Sequence, residues 1–276
     1  MERPVVAVLA RFPSAWFFAE AIGGIERVLR AGGYPFLLHN VGDPEGRAAV
    51  LAGLPRQTAV AGLIVVASSF TPEETALLTR LDVPVAAVGG TFPGAPRVGI
   101  DDRAGAAAAV RHLVGLGHRE IGLLSFDPDD AAGGAVTEAR RAGFADGLAE
   151  AGLPLREEWV VPAGHDAPAG ARAASVLLAR GVLPTAVLAM SDETALGALR
   201  TFRRAGVDVP GRMSVVGFDD QAAAGFADLT TIAQPAREQG ARAAELLLEA
   251  LAGRLAGAPS IDLPTRLVVR GTTAPV

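Results

Sequence analysis

Short apolar, β-rich runs alternate with helical runs along most of this chain, and that rhythm constrains the fold more than any other feature. Each extended run is too short to fold alone, and each is followed by enough chain for a crossover helix, the signature of parallel sheets. Val5 to Ala10 is the first such run, stopping at Arg11. Ser14 is expected to cap the following helix, with Phe18, Ile22, Ile25 and Leu29 on one face and Gly32 and Gly33 ending it. Strands are predicted at 34–39, 60–68 and 84–89, and Thr71-Pro72-Glu73-Glu74 reads as a capping box with proline at the first helical position. After Ile100-Asp101 the rhythm restarts. Helices at 103–116, 136–151, 168–180 and 192–205 interleave with strands at 120–125, around 159–161, 185–190 and 213–218. Two similar doubly wound units are the simplest account, and a cleft between them is the expected ligand site.

Composition removes several function classes. The 276 residues, half of them hydrophobic and 20% charged, can bury one or two cores. Without cysteine there is no disulfide framework, thiolate metal site or cysteine nucleophile. A net charge of -5, with 25 basic residues scattered along the chain, argues against a duplex-binding surface. No apolar run approaches eighteen residues and the N-terminus lacks a secretory pattern, so a cytoplasmic protein with no membrane attachment is expected. His39, His112, His118 and His165 show no metal spacing, and His118 follows a glycine stop, as a turn histidine would. No nucleophile elbow, phosphate loop or dinucleotide fingerprint occurs. No catalytic residue, metal or cofactor is predicted.

Ligands of open α/β sheets bind outside the carboxyl ends of the strands. The apolar run Val215–Phe218 ends at Asp219, which makes that carboxylate the first candidate; its alternative role is a cap for the next turn. Arg140, near the start of a helix reading Arg140, Phe144, Leu148, carries a planar five-donor fork, and its alternative is a solvated helix arginine. Ser191 is expected to cap a helix and to neighbour the ligand, whereas Asp192 fits the helix dipole and is read as structural. After the first strand, Phe18 is assigned to the core and Trp16 or Phe17 to stacking against a ligand.

The segment VGIDDRAGAAAAVRHLVGLGHREIGLLS at 98–125 resembles the effector-binding core of the lactose-repressor/galactose-repressor (LacI/GalR) transcription factors. RRAGFADGLAEAG (140–152), AVLAMSDETALGALR (186–200), GVDVPGRMSVVGFDD (206–220), LTTIAQPAREQGARAAELLLEAL (229–251) and RLVVRGTT (266–273) continue the resemblance in order. It implies an α/β, periplasmic-binding-protein-like fold: two Rossmann-like subdomains with parallel sheets, joined by three crossovers. The expected subdomains are 1–101 plus 235–262 and 102–234 plus 263–276. It also implies a sugar or related metabolite as effector, homodimerisation, and contact with operator DNA only through an N-terminal helix-turn-helix that this chain is expected to lack. The dimer is supported by helix 236–251, which looks more apolar than one core requires. The ligand-binding set is Arg140, Asp219, Trp16, Phe17, Ser191, Val136 and Asp166. In the loop 164–170 the family places an aromatic where this chain has His165 and Asp166. Two rivals remain: the substrate-binding protein of a membrane sugar transporter, and a sugar-processing enzyme of similar topology.

Overall fold

The computed structural model describes residues 4–56, 60–127 and 134–276. Its alternating elements close into two sheets, each with its own core. The first unit comprises Met1–Ile100 and Pro235–Leu263, and the second Asp101–Gln234 and Pro264–Val276, so the chain passes between units three times.

In the first unit, strands β1 (Val5–Ala10), β2 (Phe36–Asn40), β3 (Val60–Val66), β4 (Val85–Val88), β5 (Arg97–Gly99) and the late β11 (Ser260–Asp262) form a sheet ordered β11-β5-β4-β3-β1-β2. Every pairing is parallel, with Val8 opposite Leu38 on one side and Ile64 on the other. A central parallel strand is covered on both faces, and accordingly Val6 to Ala10 are all buried. Helices α1 (Trp16–Ala31), α2 (Pro44–Gly53), α3 (Pro72–Thr79) and the late α9 (Ala236–Leu251) flank it. Gly24 and Gly240 bring α1 and α9 together. A Cβ on Gly24 would stand 2.0 Å from the Arg237 carbonyl oxygen, and one on Gly240 2.0 Å from that of Ala21.

The second unit repeats the plan. Strands β6 (Ile121–Phe126), β7 (Val160–Ala163), β8 (Ala186–Ala189), β9 (Ser214–Asp219), β10 (Thr230–Ala233) and β12 (Arg266–Val268) are ordered β12-β10-β9-β8-β6-β7, parallel except for the edge pair β10–β12. Around them pack α4 (Asp102–Gly115), α5 (Gly134–Glu150), α6 (Ala167–Ala179), α7 (Asp192–Arg204) and the short α8 (Ala222–Phe226). Helix α6 meets α7 as α1 meets α9, through Gly170 and Gly197, whose added Cβ atoms would stand 2.1 and 1.9 Å from backbone oxygens of the facing helix.

Several local expectations need correction. Ser14 does not cap α1: the N-cap position is Ala15, with no side-chain hydrogen bond. The helix starts instead where Trp16 to Phe18 can pack, an example of tertiary burial outweighing a cap. The capping box at Thr71 and Glu74 forms in full, with reciprocal bonds of 2.9 and 3.2 Å. Helix α2, absent from the prediction, is capped by Asp43 with Pro44 at its first position. Short strands β5, β10, β11 and β12 were also missed, because three or four residues carry too little periodicity. The apolar surplus assigned to α9 is consumed within its own unit, where Ala241, Ala243, Ala244, Leu246 and Leu247 are buried.

Candidate functional site

At the carboxyl end of β9 the backbone leaves ordinary strand geometry, with φ of 127° at Asp219 and 61° at Asp220. Non-glycine residues hold such conformations at a cost of about 1–3 kcal/mol each, and they concentrate at sites where a side chain must be aimed. Asp219 is 5% exposed, and its Oδ1 accepts a 2.6 Å bond from Gln234 Nε2. Burial raises its pKa well above the ordinary carboxylate value, opposed by the Arg140 charge and reinforced by Asp192.

Arg140 comes from α5, one helical turn beyond Val136, and is 6% exposed. Its Nε donates to Asp102 Oδ1 at 2.8 Å, and its Nη1 donates to the Met190 carbonyl oxygen. The guanidinium lies over the Phe218 ring, 3.7 Å from the centroid, and 6.0 Å from that of Phe126. Gly105 in α4 makes room for that ring, since a Cβ there would stand 2.9 Å from Phe218 Cζ. Nη1 is 3.9 Å from Asp219 Oδ1, beyond hydrogen-bond range. Thus Arg140 is held by Asp102 and the Met190 carbonyl with its Nη1 beside the Asp219 acceptor.

Ser191 is the N-cap of α7, accepting from Thr194 N at 3.2 Å, and directly follows the Met190 carbonyl that holds Arg140. Asp192, read from the sequence as structural, is fully buried. Its carboxylate accepts from Thr231 Oγ1 at 2.6 Å and from Gln221 N at 2.9 Å. Burial pushes its pKa up to about 7 despite those bonds. Gly217, in the middle of β9, exists for this carboxylate: a Cβ there would be 2.2 Å from Asp192 Oδ1.

The remaining candidates are Asp166 in the second unit and Trp16 and Phe17 in the first. Asp166 is exposed and caps α6, accepting from Ala169 N at 2.7 Å. Its neighbour His165 packs instead on Phe126, with ring centroids 4.1 Å apart. Trp16 and Phe17 belong to the first unit and are half-buried. Phe17 packs edge-on to Phe18 at 5.6 Å, and its Cζ stands 2.9 Å from where a Cβ on Gly89 would lie, so it joins the core beside β4. Sequence reasoning missed Asp102, Gln234, Phe126 and Phe218. Phe218 precedes Asp219 in the same motif and was readable, whereas Asp102 looks like any acidic residue in a first helical turn.

His118 is buried in a structural network, at 2.9 Å from both Thr185 Oγ1 and Ser214 Oγ. Among the described residues, no group of three or more His, Asp or Glu is placed to hold a metal ion, and no helix is long and apolar enough to cross a membrane.

Residues 110–273 match the family described as the periplasmic binding protein-like domain. The HTH-type transcriptional repressor PurR of Vibrio parahaemolyticus serotype O3:K6 is 30% identical over 261 residues, covering 93% of this chain and 77% of the relative. A LacI family transcriptional regulator from Enterococcus faecium, solved with bound ribose, superposes with a TM-score of 0.88 at 27% identity, over 99% of each chain. The chain belongs to the LacI/GalR family. Its two parallel-sheet units are the periplasmic-binding-protein-like, effector-binding fold of that family. A complex of the transcriptional regulator CelR with cellobiose is equally similar, at a TM-score of 0.88 and 26% identity over 98% of this chain and 85% of that one. These LacI/GalR relatives are transcriptional regulators, a class that agrees with the non-enzymatic reading of the sequence.

Proposed function

We propose that this chain is the effector-sensing, dimerising part of a LacI/GalR regulator, and that it binds a sugar or similar polyhydroxylated metabolite at the carboxyl ends of the second unit's strands. The two units are read as the family's effector-binding subdomains, and DNA contact as the task of a helix-turn-helix outside this chain. The observation that carries the reading is the pairing of Arg140, anchored by Asp102 and Met190, with Asp219 at 3.9 Å. One ligand hydroxyl fits that gap, accepting from the guanidinium and donating to the carboxylate. Ser191, next to the Met190 that holds Arg140, and Val136, one helical turn before Arg140, complete the set within the second unit. The cellobiose and ribose bound in the two similar structures support a sugar. Ligand would then favour one arrangement of the regulator, by no more than its difference in affinity between states.

Thermal-shift screening with sugars, polyols and nucleobases, followed by calorimetry, tests the assignment. A sugar that raises the melting temperature of the wild type, and binds Asp219→Asn about ten- to hundredfold more weakly, is the expected result. Equal affinity in wild type and variant would place the effector elsewhere. Light scattering checks the dimer, against a chain mass of 28.1 kDa.

A further inference from the structure

At the amino ends of β9 and β10, away from the Asp219 end of the same sheet, two histidines hold a segment that no regular element contains. Residues 271–276 follow β12 and are anchored at Thr272, which is fully buried. Its Oγ1 donates to the Val215 carbonyl oxygen at 2.7 Å and accepts from Thr230 N at 2.9 Å, while its own carbonyl accepts from Val215 N at 2.8 Å. Past that anchor the attachment is polar and rests on imidazole. His112 Nε2 lies 3.1 Å from Thr273 Oγ1, and His118 Nε2 lies 3.1 Å from the Ala274 carbonyl oxygen and 2.9 Å from Ser214 Oγ. Ser214 Oγ accepts from Ala274 N at 3.1 Å, and the Leu116 carbonyl accepts from Val276 N at the same distance. Pro275 and Val276 are exposed, so little apolar burial supports these contacts.

We infer that residues 273–276 form a pH-sensitive strap, hinged at Thr272, which lifts from the second unit when His112 and His118 take up protons. A carbonyl only accepts, so the neutral His118 ring carries its proton on Nε2 and accepts the Thr185 hydroxyl on Nδ1 at 2.9 Å. A second proton would place a full charge on a residue 3% exposed. Burial lowers the pKa of both histidines below 6.5; for His118 the Ala274 bond opposes this and the His112 charge adds to it. The surrounding charges are engaged elsewhere. Arg111 pairs with Glu150 at 3.2 Å, Arg270 with Asp220 at 2.6 Å, and Arg119 and Arg212 donate to backbone carbonyls. Glu120 is exposed and offers its carbonyl to Thr185, and the Asp228 carboxylate lies against Gly271 on the far side of the hinge. Lifting the strap returns water to both rings while leaving the sheet intact. Stability from the neutral imidazoles is present above pH 6.5 and is lost as pH falls through the lowered values, the opposite sign to Asp192.

Native-state hydrogen exchange on the full chain, followed by NMR from about pH 7.5 to about pH 5 and corrected for intrinsic exchange, tests the strap. Protection of the Ala274 and Val276 amides should fall roughly tenfold or more, while the Thr230 amide at the hinge and the amides of β8 keep theirs. The midpoint should coincide with the titration of the His112 or His118 ring protons. In the double variant His112→Gln with His118→Gln the strap amides should lose this pH dependence. Unchanged protection of Ala274 and Val276 at the acid end overturns the inference. So does a loss shared equally by β8, which is global unfolding, or a loss that persists in the double variant. Should that variant fail to fold, the wild type alone decides: a strap midpoint that departs from both ring titrations by more than about one pH unit removes the histidines from the role.

Discussion

The two units share a plan and differ in where they keep their charge. Three ion pairs of the first unit sit near its surface. Arg47 and Glu74 are joined by two bonds of 2.6 and 2.7 Å with side chains 13% and 21% exposed, and the Arg237–Glu20 and Arg97–Asp262 pairs are more open still. In the second unit, Arg140, Asp219 and Asp192 are buried at the carboxyl end of the sheet. Removing ionised groups from water costs several kcal/mol each, which surface pairs do not pay. Symmetry of architecture without symmetry of charge teaches that the buried cluster is not a requirement of the fold. The first unit builds a six-stranded sheet of similar plan with Arg11 as its one buried charged side chain among the described residues, where the second has Arg140, Asp219 and Asp192.

Arg140→Ala should break this contrast most severely. Deleting the guanidinium leaves Asp102 and Asp219 without their cation, and losing one member of a buried pair typically costs about 3–5 kcal/mol. Read as a solvated helix arginine, the alternative the sequence left open, the residue could be removed without harm to the fold. Its burial and its contacts with Asp102, Met190 and Phe218 predict otherwise. Urea denaturation of wild type and variant measures the loss, and a difference under about 1 kcal/mol would show that the cluster tolerates its own disruption.

Asp192→Asn sharpens the comparison through pH. Burial raises the Asp192 pKa from 3.8 to about 7, so between those values the native state holds a proton that the unfolded chain releases. Stability from this neutral carboxyl is fully present below pH 3.8 and is lost as pH rises through about 7. Asp219, also raised, contributes in the same direction. In the variant, Thr231 and Gln221 N still find an amide, and the melting temperature should fall less between pH 5 and 8 than in wild type. Parallel melting curves across that range, followed by circular dichroism, would contradict the assignment.

The smallest effect is expected in the first unit. Glu74→Gln removes one charge from the half-buried pair with Arg47 and should cost roughly 1 kcal/mol or less. The hydrogen bond from Arg47 holds the Glu74 pKa below its ordinary value, so this stability is present above pH 4.5 and is lost as pH falls through the depressed value. Its pH dependence therefore has the opposite sign to that of Asp192. A cost matching that of Arg140→Ala would erase the distinction between the units.

Local sequence carried the sheet-forming runs, the long helices, the Thr71 capping box and the position of Asp219 at a strand end. Each depends on periodicity or on contacts within four residues, which a linear pattern records. It also gave the class of fold through the order of those elements. Tertiary structure alone decided that Arg140 is held by Asp102, thirty-eight residues away, and by a carbonyl fifty residues on. The same holds for Asp192, whose first-turn position suggested a dipole role until Gly217, Thr231 and Gln221 were seen to enclose it. Asp166 shows the reverse, a proposed ligand residue found as an exposed helix cap. Hydrophobic period is written along the chain because burial of one face is a local choice. A charge's burial and partners are set by which distant strands and helices meet around it, and that meeting exists only in the folded state.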